Sequence, residues 1–146
     1  MKKVFTITAI VLLLTAQVSL AEQKVTSGHY ELHYNTFPST FLSTEVANAN
    51  QIQRSKSRGI ISVSVIDTSQ DPNAAVEADV TIVAKNLLNQ KKEVNFFKIV
   101  EENKAIYYLG SFALNNQEDI NFAIEASPKG SDTTLKAKFN REFFTD

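Results

Sequence analysis

The sequence predicts an all-β fold: a seven-strand antiparallel sandwich with one long loop that carries a short helix. Three observations predict it. Apolar residues from Gly28 onward recur mainly with period two, which marks strands buried on one face. Clusters of turn-forming residues punctuate these runs at short intervals. No long stretch of helical period lies between the runs to serve as a crossover.

Each element has its own signature. Tyr30, Leu32 and Tyr34 alternate with His29, Glu31 and His33 in the first strand. Gly59 to Asp67 forms the second, with Ile61, Val63 and Val65 inward against Ser62 and Ser64, and ends in Ser69-Gln70-Asp71-Pro72-Asn73. Val76, Ala78, Val80 and Ile82 make the third, which Asn86-Leu87-Leu88-Asn89-Gln90 closes. The fourth runs from about Lys92 to Glu101 and the fifth from Ala105 to Leu114, joined by a tight Glu102-Asn103-Lys104 connection. Ile120, Phe122, Ile124 and Ala126 mark one face of the sixth, and Thr133 to Thr145 supplies the seventh. A membrane barrel fits less well, because bacterial barrels use an even strand number of about eight or more and an uninterrupted apolar band.

One excursion breaks the meander. Phe37 to Arg58 is far longer than the usual connection. Its Phe37, Phe41, Leu42, Val46 and Ile52 are too apolar to float in water, so the segment is expected to fold back on the sheet. Ser43, followed by Val46, Ala47 and Asn50, suits the cap of a helical turn or two.

Composition excludes several classes. With 4 Gly, 3 Pro and 43% apolar residues in 146, collagenous and disordered readings lack what they need. The absence of cysteine removes disulfides, thiolate nucleophiles, zinc ribbons and lipoprotein anchors.

Met1 to Ala21 reads as a signal peptide: Lys2 and Lys3 precede the apolar Val4 to Leu14, and Ser19-Leu20-Ala21 offers a small-residue cleavage site. Cleavage after Ala21 leaves residues 22–27 as a flexible mature N-terminus and 28–146 as a single domain, with no retained membrane span. The expected address is the periplasm, with secretion beyond it left open. Without Lys2 and Lys3 the mature chain has 13 basic and 16 acidic side chains, a net charge of −3. That balance gives no electrostatic case for nucleic acid or an anionic membrane.

The candidate chemistry is sparse. His29 and His33, with Glu31 between them, suggest a metal, yet residues four apart on a strand stand roughly 13 Å apart and cannot share one ion; no metal or cofactor is expected. No G-x-S-x-G elbow or S-x-x-K occurs, and neither histidine has an identifiable Asp partner, so no enzyme is expected. Arg54, Lys56 and Arg58 form a ladder of cations on one side of an extended segment, suited to a carboxylate-bearing peptide or glycan. Aromatic doublets at Phe96-Phe97, Tyr107-Tyr108 and Phe143-Phe144 send one ring to each face. Val94, Phe96, Val100, Ile106, Tyr108 and Phe112 then share the core face, while Phe97, Ile99, Tyr107 and Leu109 gather on the other. Either the Phe37 to Arg58 excursion covers that second cluster or a partner does; part of it is expected to stay open and bind protein.

The strings Gly28-His29-Tyr30-Glu31-Leu32-His33-Tyr34-Asn35, Phe41-Leu42-Ser43, Arg54-Ser55-Lys56, Ala105-Ile106-Tyr107-Tyr108-Leu109 and Phe143-Phe144-Thr145-Asp146 resemble a family of small exported proteobacterial proteins, domain of unknown function 4426. The resemblance spans essentially the whole mature chain. It implies a single immunoglobulin-like domain in the periplasm and brings no activity, cofactor or catalytic residue. The chain departs from it at Thr36, where the family tends to carry Ala, a change expected to matter little to a loop.

The expected function is therefore a non-enzymatic envelope module that binds a periplasmic or envelope protein. Its candidate contacts are His33, Asn35, Phe37, Phe41, Arg54, Lys56, Arg58, Phe97 and Tyr107. The alternative is a carrier of a small anionic ligand held by Arg54, Lys56 and Arg58, which needs a concavity of at least ~300 Å³.

Overall fold

The computed structural model describes residues 23–146; the signal peptide expected at residues 1–21 lies outside the described residues. Ten strand segments form: β1 (Gln23–Ser27), β2 (Tyr30–Pro38), β3 (Arg58–Asp67), β4 (Ala74–Ala75), β5 (Ala78–Asn86), β6 (Lys91–Lys92), β7 (Asn95–Val100), β8 (Ile106–Ala113), β9 (Glu118–Pro128) and β10 (Leu135–Phe143). One sheet runs β1-β2-β3-β8-β7 with β4 added to β3, and the other runs β10-β9-β5-β6. All pairings are antiparallel. Without the short additions β1, β4 and β6, the layers are β2-β3-β8-β7 and β5-β9-β10. That is the four-plus-three order of a constant-type immunoglobulin sandwich, and its strands are the seven that the alternation predicts.

Side-chain alternation builds the interior between these layers. On β9, Ile120, Phe122, Ile124 and Ala126 are buried while Asn121 and Glu125 face solvent. They meet Leu32, Ile61, Val63, Val65, Phe112 and Leu135 from the other strands. Aromatic rings lock the centre: Phe122 stacks on Phe139 at 4.9 Å and meets Phe112 edge-on at 5.4 Å. Tyr108 links the two sheets, because its hydroxyl accepts a hydrogen bond from Ala78 N at 2.9 Å and both residues are buried.

Residues 23–27, expected to be flexible, instead form β1. Gly28 at φ +60° makes a two-residue turn that pairs Ser27 with Tyr30 and Gln23 with Tyr34, and Val25 packs on the core. Thr36 belongs to β2 rather than to a loop, only 2% exposed, with its hydroxyl lacking a hydrogen-bond partner among the described residues. Phe96 and Val100, expected in the core, are 44% and 58% exposed. They sit on β7, the edge of its sheet, where no further strand among the described residues covers them.

The excursion supplies a second, smaller core on the outer face of the larger sheet. A short 3₁₀ turn (Ser39–Phe41) leads into α1 (Thr44–Ala49), whose N-terminus is capped by Ser43 Oγ accepting from Val46 N at 3.2 Å. Leu42 and Ala47 bury themselves against Ile60 and Leu109, flanked by Phe37, Val46, Ile52, Phe97, Ile99 and Tyr107. Ser39, fully buried, ties the two ends of the excursion together: its hydroxyl lies 3.1 and 3.0 Å from the carbonyls of Gln53 and Ser55 and accepts from Ser55 N at 2.9 Å. This cover explains why Ile60, on the outer face of β3, is as buried as the inward-facing Ile61.

Candidate functional site

The cluster around Phe97 and Tyr107 is covered by the chain's own excursion, and both rings are half-buried beneath it. What remains accessible is the border of that cover. After α1 the chain reverses at Asn50 and Gln51, the latter at φ +55°, and Ile52 N donates to Ala47 O at 2.8 Å. Asn50 Nδ2 donates to Val46 O at 2.9 Å and closes the helix end. Residues 50–53 therefore run as a fixed wall facing the start of β7.

Between that wall and β7 lies a groove of about 440 Å³, lined by Asn50, Gln51, Ile52, Gln53, Arg58, Asn95, Phe96, Phe97 and Ser111. Strand register assembles it. Arg58 opens β3 opposite Ala113, and Ser111, two residues earlier on β8, stands opposite Asn95 on β7. Arg58 Nη1 donates to Ser111 Oγ at 2.9 Å, which aims the guanidinium across β8 toward β7. No carboxylate pairs with Arg58 among the described residues, and Ser111 is the one side-chain acceptor its guanidinium has there, so most of its five N–H donors are left for a ligand. The site is thus a half-buried cation ringed by amides and backed by an aromatic wall. It can receive a carboxylate and the extended backbone next to it.

The remaining predicted residues are dispersed. Arg54, Lys56 and Arg58 do not form a ladder. Ser57 N donates to Ser55 Oγ at 3.2 Å and Arg58 N to Ser55 O at 3.2 Å, so a turn replaces the extended segment. Arg54 is held away from the groove, donating to Thr40 O at 2.7 Å and Thr44 Oγ1 at 3.4 Å, while Lys56 is exposed. His33 Nε2 lies 2.9 Å from Glu31 Oε2, and hydrogen bonds from Lys24 and then His33 hold the Glu31 carboxyl below its ordinary range. His29, read from sequence without an Asp partner, has its Nε2 3.8 Å from Asp67 Oδ1, because the β2–β3 register brings Tyr30 opposite Asp67. Asn35 Oδ1 accepts from Thr36 N at 2.8 Å, Phe37 packs into the covered cluster, and Phe41 is 64% exposed at the excursion's start. Of the predicted set, Arg58 and Phe97 meet in one concavity.

Sequence reasoning missed Asn50, Gln51, Gln53, Asn95 and Ser111. The available signal was the run of side-chain amides at Asn48, Asn50, Gln51 and Gln53. Among the described residues no three His, Asp or Glu side chains converge on a metal position, and no helix is long and apolar enough to cross a membrane.

Comparison with known proteins gives a family and a fold. The family model described as Domain of unknown function (DUF4426) matches residues 24–146. A DUF4426 family protein from Pseudomonas aeruginosa, solved by crystallography, is 36% identical, with 86% of this chain and 96% of that one covered at a TM-score of 0.74. Two structures of FetP from uropathogenic Escherichia coli share the fold at 10% identity. The copper-bound variant covers 84% of this chain and 90% of its own at a TM-score of 0.58, and the as-isolated protein covers 85% and 94% at 0.53. No curated protein matches the chain.

Proposed function

We propose that this chain, which belongs to the DUF4426 family, is a non-enzymatic periplasmic binding module whose groove takes an extended, carboxylate-bearing segment of an envelope protein. One observation carries the reading: the half-buried Arg58 guanidinium is oriented by Ser111, lacks an acidic partner among the described residues, and lines a groove of about 440 Å³. A partly desolvated cation left without a counter-charge costs stability, and a ligand carboxylate recovers it through paired charge-assisted hydrogen bonds.

Two neighbours suit a peptide. Among the described residues β7 pairs only with β8, so its outer edge offers backbone donors and acceptors to an added strand. The amides of Asn50, Gln51, Gln53 and Asn95 can satisfy a second backbone edge, and Phe97 supplies an apolar wall. A multiply charged small anion fits less well, because Arg54 and Lys56 do not line the groove.

Selection of displayed random peptides on the chain beginning at Glu22 tests this. Sequences ending in a free carboxylate should be enriched, and amidation or Arg58→Gln should weaken their binding on the order of tenfold or more. Equal binding by Arg58→Gln with an unchanged circular dichroism spectrum would refute the reading. Preference for free amino acids or other small carboxylates over peptides would favour the carrier.

A further inference from the structure

We propose that the β5–β6 turn is a second, independent contact site, which seats the domain peripherally on an anionic lipid surface. Leu87 and Leu88 are 68% and 79% exposed at its tip. The turn holding them is closed by four hydrogen bonds. Asn86 N donates to Gln90 O at 3.0 Å and Asn89 N to Asn86 O at 2.9 Å, while Asn86 Nδ2 donates to Gln90 Oε1 at 2.7 Å and accepts through Oδ1 from Gln90 N at 2.9 Å. Asn89 takes the left-handed conformation at φ +62°, which Asn tolerates. Two adjacent leucines are therefore presented outward by a pre-organised frame, not left on a slack loop.

The charges behind the tip identify the occupant. Lys85 stands directly opposite Lys91 across the hairpin, a like-charge pairing that destabilises a sheet by itself. Neither has an acidic partner among the described residues, whereas the neighbouring Lys92 is neutralised by Glu118 at 2.6 Å. Lys138 joins Lys85 around a surface depression with Val83 and Ala123, also without an acid. Asp119 and Glu142 face each other one and two strands away from the hairpin, and the nearest exposed acid along the chain, Glu93, lies beyond β6 on the side away from the tip. An apolar point with a cationic collar on one side matches acyl chains beneath anionic headgroups, with the β6 edge turned toward the lipid.

Shape argues against a protein here. Two residues on a convex turn present far less than the roughly 800 Å² per partner that a stable protein interface buries. The net charge, −1 for the whole sequence and −3 without Lys2 and Lys3, hides this local arrangement. The inference does not rest on the groove, which lies on the other sheet.

The test uses the chain beginning at Glu22 and vesicles of phosphatidylcholine with or without phosphatidylglycerol. Co-sedimentation with the anionic vesicles is expected, weakened about 50-fold by Leu87→Ser with Leu88→Ser and about fivefold by Lys85→Gln or Lys91→Gln. The chain has no tryptophan, so Leu88→Trp gives a fluorophore at the tip alone. Its emission should shift to the blue with anionic vesicles and stay fixed with neutral ones. No binding, no blue shift, or binding unchanged by the double serine variant would overturn the proposal, as would a tip variant that altered only self-association in sedimentation velocity.

Discussion

Tyr108→Phe isolates one bond between the two sheets. The hydroxyl of Tyr108 on β8 accepts from Ala78 N at the start of β5, at 2.9 Å, and both residues are only 6% exposed. The substitution removes one oxygen and leaves the ring in place, stacked 6.0 Å from Phe96. Its cost is therefore not a cavity but the desolvation of an amide that loses its acceptor, about 1–3 kcal/mol. For a domain of this size each kcal/mol moves Tm by roughly 4 °C, so the melting point should fall by roughly 4–12 °C. Urea unfolding followed by circular dichroism measures the energy, and hydrogen exchange at the Ala78 amide reports the bond itself. A loss below about 0.3 kcal/mol with Ala78 still protected would refute the link between the sheets, since even a weak neutral hydrogen bond exceeds that.

Gly59→Ala should destabilise by about 1–3 kcal/mol in the same urea assay, because a Cβ there would meet the fully buried Phe112 ring at 2.5 Å; a neutral result would mean that the ring has room to move. Stability should also fall in acid through Glu118. Burial pushes its carboxyl up, but hydrogen bonds from Lys92 and Asn115 outweigh that and leave it below its ordinary value of 4.5. A carboxylate depressed in the folded state contributes fully above the unfolded value and loses its contribution as pH falls through the folded one. The urea midpoint should therefore drop below about pH 4.5, and Glu118→Gln should make that drop shallower; an unaltered acid slope in the variant would discount the pair.

Much of the fold was legible because period two is a local property. Ile120, Phe122, Ile124 and Ala126 announce a buried face whatever lies opposite, and the same count separated Tyr108 from Tyr107. What periodicity omits is company. β1 escaped notice because Gln23-Lys24-Val25-Thr26-Ser27 holds one apolar residue and owes its strand to pairing with β2. β4 and β6 are two residues each, too short for any pattern. Phe96 and Val100 alternate like core residues, but exposure depends on β7 being an edge, which is a fact of topology.

The site was less legible because it depends on where the excursion turns. Reading Arg54 to Arg58 as extended places three cations in a row, but the Ser55 side chain and carbonyl bind the next backbone N–H groups and split Arg54 from Arg58. Ser111 and Asn95 become neighbours only through the pairing of β7 with β8. The excursion then presents two different faces from one segment. Leu42, Ala47 and Ile52 turn inward to seal the Phe97 and Tyr107 rings, while Asn50, Gln51 and Gln53 turn toward Arg58. Sealing and the proposed binding are thereby coupled: loosening Leu42 or Ala47 should also displace the groove wall, whereas loss of the Tyr108 hydroxyl, on the far side of the sheet, should leave that wall in place.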